Sequence, residues 1–154
     1  MDTPLFSPHH SVLVADGNSY LRRVVRDMLS RVGIKRVVEA VDGAEALSVL
    51  AQSRPDLVVV AWDLPILTGE EFVRLVRTPS TSPTPTVPIL AMVALPTKVV
   101  IERAVSCGVN EILVKPFSAA ALWARLDETI NKPRPFVQIG AMLRPAPRTS
   151  EAAS

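Results

Sequence analysis

The segment PDLVVVAWDLPILTGEEF, residues 55–72, contains the most strand-like stretch of the chain and the start of a helix. Leu57–Ala61 (LVVVA) is a continuous apolar run bounded by turn residues, which predicts a strand that is buried on both faces. Thr68 and Glu71 stand three residues apart, in the pattern of a capping box that begins a helix. A buried strand followed at once by a loop and a helix is one β-α unit.

Similar units occur five times along the chain. Each has a short apolar run followed by apolar residues at helical spacing, and the predicted strands are Ser11 to Ala15, Val37 to Ala40, Leu57 to Ala61, Pro88 to Val93 and Glu111 to Val114. Near-continuous apolar strands alternating with helices predict a doubly wound α/β fold with a parallel sheet. In such sheets functional residues gather beyond the carboxyl ends of the strands, so those ends are the candidate site.

The motifs at these strand ends resemble those of one family, the CheY-like receiver domain of bacterial response regulators. The matching pieces are VLVAD, DGAEAL, PDLVVV, Pro65, PIL and LVKPFS, in the right order and at the right distances. The resemblance implies a flavodoxin-like sheet in the order 2-1-3-4-5 with five helices. It covers residues 11–130, leaving residues 1–10 as a disordered leader and residues 131–154 as a basic, proline-containing tail. The segments RTPSTSPTPTVPIL and NKPRPFV also resemble a group of alphaproteobacterial single-domain receivers.

The chemistry of this family requires residues that the chain has only in part. The resemblance implies a phosphoryl-accepting Asp, an acidic pair that binds Mg²⁺, a Lys and a switch Thr or Ser. Asp16 matches the first acidic residue and Lys115, before Pro116, matches the Lys. The departures are Gly17 for the second acid, Ala61 for the acceptor, Val93 for the switch hydroxyl and Ile112 for the switch aromatic residue. This pattern resembles a pseudo-receiver, so we expect a receiver that works without phosphorylation.

Asp63 keeps a second interpretation open, since it lies two residues beyond Ala61. Its side chain could pair with Lys115, share a weakly bound Mg²⁺ with Asp16, or accept the phosphoryl group itself. No resident cofactor is expected, and Mg²⁺ binding is weak at best. Trp62 and Ala94 complete the rim of the degenerate pocket.

The basic tail supports another alternative. The formal net charge is +2, but residues 131–154 contribute +3, so the other 130 residues carry −1. This charge balance argues against a phosphate-binding surface that covers the whole domain. The expected state of the tail is extended and solvated; alternatively, Arg134, Arg144 and Arg148 capture an anionic ligand such as a nucleotide.

The expected role is protein binding without catalysis. By the family resemblance, the output face comprises helix 4, strand 5 and helix 5, with Ile112 and Trp123. The expected partner is a signalling or output protein, such as a histidine kinase or phosphotransferase. The single Cys107 excludes a disulfide framework. Without a signal peptide, a membrane segment or a DNA-binding domain in the sequence, we expect a cytoplasmic protein.

Overall fold

The computed structural model describes residues 6–147, and in that range a five-stranded parallel sheet forms the centre of the molecule. Its order is β2-β1-β3-β4-β5, which confirms the expected topology. The strands are β1 Ser11–Ala15, β2 Arg36–Ala40, β3 Leu57–Ala61, β4 Ile89–Val93 and β5 Glu111–Val114. All residues of β3 and β4 are buried, as continuous apolar runs in a parallel sheet predict.

Helices cover both faces of this sheet. They are α1 Ser19–Arg31, α2 Gly43–Ser53, α3 Gly69–Arg77, α4 Lys98–Cys107 and α5 Ala119–Leu126, and a π-helical turn, Asp127–Asn131, continues α5. The predicted capping box is confirmed: the Thr68 hydroxyl accepts from the Glu71 amide at 3.1 Å, and the Glu71 carboxylate accepts from the Thr68 amide at 2.9 Å. This cap fixes where α3 begins, and thereby the length of the loop that follows β3.

Gly69 lets the start of α3 lie directly against the end of β3. A Cβ atom on Gly69 would lie 2.7 Å from the Ala61 carbonyl oxygen and 2.7 Å from the Trp62 Cα. Both contacts are with backbone atoms, which cannot swing aside as a side chain could. Glycine is therefore required for the helix and the strand end to approach this closely.

Both terminal segments differ from their expected states where the structure describes them. Phe6 is 2% exposed and belongs to the hydrophobic core, although residues 1–10 were expected to be disordered. Residues 136–145 form an antiparallel hairpin, β6 Phe136–Ile139 and β7 Met142–Pro145, instead of an extended tail. An isolated hairpin is at best marginally stable in water, so packing against the domain must support this one.

The hairpin packs near a buried cation, Arg77, at the end of α3. The Phe136 ring lies 4.7 Å from the Arg77 guanidinium carbon, a cation–π contact. Arg77 is fully buried and donates hydrogen bonds to the carbonyls of Gly108 at 2.9 Å, Pro85 at 2.9 Å and Val87 at 2.7 Å. It also donates to the Asn110 side-chain oxygen at 2.8 Å.

These acceptors come from the loop before β4 and from the turn between α4 and β5, so one side chain connects three segments of the chain. Burial lowers the pKa of Arg77 to about 9, which leaves the guanidinium charged at neutral pH. Gly108, at φ 108°, makes room for it, since a Cβ there would lie 2.9 Å from the Arg77 Cγ. Arg77 therefore organises this end of the domain.

Replacing Arg77 by Met should lower the free energy of unfolding by about 3 kcal/mol or more, because several buried acceptors lose their donor. Urea denaturation followed by circular dichroism measures the change. Arg74→Met is the matched control on the same helix: Arg74 is half exposed and pairs with Glu70, so its loss should cost less than about 1 kcal/mol. Equal effects of the two substitutions would contradict the role given to Arg77.

Candidate functional site

The candidate site lies at the carboxyl edge of the sheet, around the ends of β1 and β3. The strand order reverses between these two neighbouring strands, which is where doubly wound folds place their ligands. Ala15 of β1 is in register with Val60 of β3, so Asp16 and Ala61 each stand one residue beyond this pair. Val93 ends β4 and Lys115 follows β5, which brings the sequence-predicted positions to one edge.

The dominant interaction here joins Lys115 to Asp16. Lys115 Nζ lies 2.9 Å from Asp16 Oδ2, and the Asp16 residue is 4% exposed. The other carboxylate oxygen, Oδ1, accepts from the Asn18 amide at 2.9 Å. Both carboxylate oxygens of Asp16 are thus engaged by donors of the protein itself. The pair connects the loop after β1 to the loop after β5 across the edge of the sheet.

Asp63 does not take part in this pair. Its residue is exposed, and within the described part of the chain its side chain makes no hydrogen bond or ion pair, while Lys115 is bound to Asp16. The expected contact between Asp63 and Lys115 is therefore not formed. The physical reason is that Asp16 lies inside the edge, where Lys115 reaches it, whereas Asp63 points to solvent.

The remaining substituted positions bring no reactive group into the pocket. Ala61 is fully buried and Val93 is 2% exposed, and both end their strands with apolar side chains. Gly17 lies close to Pro65, so a Cβ atom on Gly17 would be 3.2 Å from the Pro65 Cδ. Lys115 and Pro116 are joined by a cis peptide bond. Trp62, Asp63, Val93, Ala94, Leu95 and Val100 line a shallow pocket of about 180 Å³ beside them.

The residues at this edge do not fit a resident Mg²⁺. The ion needs several oxygen ligands in octahedral geometry. Asp16 offers the one buried carboxylate of the pocket, and that carboxylate is already bound to the Lys115 ammonium group. Across residues 6–147, no three His, Cys, Asp or Glu side chains cluster in a way that could hold a metal ion.

The two residues assigned to the output face lie in different surroundings. Ile112 on β5 is partly buried, packs against the core and accepts through its carbonyl from Arg125 Nε at 3.1 Å. The Trp123 indole instead donates to the Met28 carbonyl of α1 at 2.9 Å. The Trp123 indole N–H therefore forms a hydrogen bond that joins α5 to α1, and Trp123 has a packing role within the domain.

The tail arginines are held by the domain. Arg134 lies 3.7 Å from the Glu111 carboxylate and donates to the backbone carbonyls of Asn110 and Ala146. Arg144 donates to the Ser106 carbonyl at 3.3 Å. Arg148, the third residue in the nucleotide alternative, lies outside the described residues. Sequence reasoning missed Arg77 and Phe136, because an Arg at the end of a helix gives no signal that it is buried.

Two further groups have defined electrostatic surroundings. Burial raises the pKa of the Cys107 thiol to about 11, so this cysteine is an uncharged core residue at neutral pH. Hydrogen bonds from Arg26 and Arg22 lower the pKa of Glu39. The contacts of these two arginines with Glu39 connect α1 to β2.

A search of residues 6–147 for a helix long and apolar enough to cross a membrane finds none.

Comparison with known proteins identifies the family. The family model of the response regulator receiver domain matches residues 12–127. The chain is 30% identical to chemotaxis protein CheY-3 of Vibrio cholerae over 128 residues, which are 83% of this chain and 97% of that protein. It is 31% identical to chemotaxis protein CheY of Pseudomonas aeruginosa, covering 79% of this chain and 96% of the relative.

Solved structures of receiver proteins also align with this chain. Vibrio cholerae CheY4 aligns with a TM-score of 0.72 at 30% identity, over 79% of this chain and 98% of that one. The receiver domain of the Francisella response regulator 1452 aligns with a TM-score of 0.73 at 25% identity, over 82% and 100% of the two chains. The chain therefore belongs to the response regulator receiver domain family, the CheY-like proteins of bacterial two-component signalling.

Proposed function

We propose that this protein is a phosphorylation-independent receiver that acts in the cytoplasm by binding other proteins. The observation that carries the proposal is the absence of an acceptor: Ala61, a methyl side chain, stands where the family resemblance implies the phosphorylated Asp. Gly17 and Val93 supply neither the second acid nor the switch hydroxyl. Transfer of a phosphoryl group requires a nucleophilic side chain and neutralisation of the phosphoryl charge. Ala61 provides no nucleophile, and Gly17 provides no second acid for the Mg²⁺ that would help to neutralise the charge.

The ion pair between Lys115 and Asp16 supports a single conformation of the edge. In the family reaction this Lys would stabilise a phosphoryl group, and here it already has a buried carboxylate 2.9 Å away. A buried pair resists opening, because separating it leaves a charge without a partner in a poorly solvated site. The loops after β1 and β5 are thus tied together without any phosphate.

A protein partner is the best-supported ligand of such a domain. The family's output face is formed by α4, β5 and α5, and a groove of about 280 Å³ on this face is lined by residues that include Val105, Ile112 and Arg125. Val105 is 57% exposed, so the face offers apolar area to a partner. We propose that this face binds in one state, with a histidine kinase, a phosphotransferase or an output protein as the class of partner.

Incubation with acetyl phosphate and Mg²⁺ should add no phosphoryl group to the wild-type protein, because Ala61 has no nucleophile. Intact-protein mass spectrometry measures the addition. Asp63→Asn should behave like the wild type. The double variant Gly17→Asp and Ala61→Asp is the positive control, since it restores the second acid and the acceptor, and it should become labelled.

Labelling of the wild type that disappears in Asp63→Asn would instead establish Asp63 as a substitute acceptor. A second readout is the amide NMR spectrum during titration with Mg²⁺ and beryllofluoride. The changes in amide chemical shift should stay small. Large chemical-shift changes that spread to Ile112 would contradict phosphorylation independence.

The ion pair has its own test by a double-mutant cycle. Lys115→Met should lower the free energy of unfolding by about 3 kcal/mol, since it leaves the Asp16 carboxylate buried and unpaired. Adding Asp16→Asn should recover about 1–3 kcal/mol relative to the sum of the single variants. Urea denaturation gives the values, and Lys98→Met, at an exposed lysine of α4, serves as the control. If the effects of the two single substitutions on the free energy of unfolding were additive, the proposed stabilising ion pair between Lys115 and Asp16 would be excluded.

A further inference from the structure

The shallow pocket beside the degenerate site carries a carboxylate that the domain itself does not use. Asp63 is the one charged residue in the lining of this pocket, and the other lining side chains are apolar or aromatic: Trp62, Val93, Ala94, Leu95 and Val100. Within residues 6–147, the Asp63 carboxylate makes no hydrogen bond or ion pair. A carboxylate at an apolar pocket, without a counter-ion from the same domain, favours a cationic occupant.

The pairing of the neighbouring basic side chains argues against an anionic occupant. Lys115 Nζ lies 2.9 Å from the Asp16 carboxylate. Arg22 Nε lies 2.8 Å from the Glu39 carboxylate, and Arg22 Nη1 donates to the Asp16 carbonyl at 2.7 Å. A phosphate group in the pocket would approach Asp63, and both basic side chains are directed to partners within the domain.

The size of the pocket indicates the size of its occupant. Its volume of about 180 Å³ is below the roughly 300–1,000 Å³ of ordinary small-molecule sites. A nucleotide therefore fits poorly, whereas one side chain of a partner protein fits.

Exposed apolar side chains adjoin the pocket. Among the described large apolar residues, Ile66 at 80% and Leu95 at 76% are the most exposed. Leu95 lines the pocket from the loop after β4, and Ile66 follows Asp63 by three residues in the loop after β3. Because β3 and β4 are neighbouring strands, these two loops adjoin at the carboxyl edge of the sheet. Two such side chains on adjoining loops beside a pocket indicate a protein-binding surface.

The backbone of Ile66 is strained in a way that brings no packing within the domain. Ile66 has a φ of 69°, in the left-handed region that β-branched residues rarely adopt. The Leu67 amide donates to the Pro65 carbonyl at 2.8 Å across it, which is the hydrogen bond of a γ-turn. Glycine would adopt this turn at lower cost. Since the Ile66 side chain is exposed, its apolar surface is available for contact with a partner.

A lysine or arginine side chain matches both the charge and the apolar character of the pocket. Its aliphatic stem can lie against Leu95 and Val100 while its charged end reaches the Asp63 carboxylate. Trp62 adds an aromatic surface, which attracts a cation. Apolar residues next to the basic residue of the partner would contact Ile66 and Leu95.

We propose that the pocket lined by the loops after β3 and β4 binds a lysine or arginine side chain of a partner protein, paired with Asp63 and flanked by apolar contacts to Ile66 and Leu95. This surface goes beyond the output face proposed above, because it lies on the loops at the carboxyl edge and not on β5 or α5. It gives Asp63 a role in recognition and requires no phosphoryl group.

The test is a selection of random dodecapeptides, displayed on phage, against the purified full-length protein without a phosphodonor. Enriched peptides should share a Lys or Arg next to a large apolar residue. A synthetic copy of an enriched peptide should bind about tenfold more weakly to Asp63→Asn, because the charge pair is lost. Leu95→Ser should weaken binding about fivefold, since it removes apolar contact area beside the pocket.

Charge reversal gives a second and more specific readout. Asp63→Lys should reject the selected peptide and should bind a copy whose basic residue is replaced by Glu. The matched controls are Asp27→Asn, which removes the same charge from an exposed position of α1, and Val137→Ser, which shortens an exposed apolar residue of β6. Both controls should bind the peptide like the wild type. Circular dichroism verifies that each variant is folded.

The proposal is overturned if no peptide is enriched, if the enriched peptides lack a basic residue, or if Asp63→Asn binds them normally. Binding that is lost in Val105→Ser and kept in Asp63→Asn would also overturn it, because the contact would then lie on the output face. A dimer in sedimentation that Asp63→Lys dissolves would overturn it in favour of a second copy of the chain. None of these results bears on phosphorylation, which the acetyl phosphate experiment tests separately.

Discussion

Burial of β3 on both faces is the constraint from which the rest of the architecture follows. Every residue of Leu57–Ala61 is buried, with β1 on one side and β4 on the other. A strand with two apolar faces needs helices above and below, so each connection must cross over through a helix and the strands become parallel. Their carboxyl ends then meet at one edge. The position of the candidate site is therefore a consequence of how the sheet is buried.

At that edge, the ion pair between Lys115 and Asp16 is the dominant interaction. Lys115 and Asp16 come from opposite ends of the domain sequence and meet because β1 and β5 are parallel strands of one sheet. With no carboxylate at Ala61, Asp16 is the buried acid that Lys115 reaches. A contact within the protein therefore connects the loop after β1 to the loop after β5.

The opposite end of the domain depends on Arg77. A charged group without a carboxylate partner is costly to bury unless its donors are satisfied, and here backbone carbonyls and Asn110 satisfy them. Phe136 then covers the guanidinium, which joins the β6–β7 hairpin to the core of the domain. One cation thereby stabilises the turn between α4 and β5 and supports the β6–β7 hairpin.

The local features follow from the amino-acid sequence alone. Apolar runs gave the strands, Thr68 and Glu71 gave the start of α3, and Ala61 and Gly17 defined what the pocket lacks, because these properties are set by residue type and short spacing. The tertiary structure alone decided the long-range partners: Lys115 with Asp16 and not Asp63, Trp123 with α1, Phe6 in the core, and Phe136 over Arg77. Such pairs depend on where distant segments meet in three dimensions, and no periodicity along the chain encodes that position.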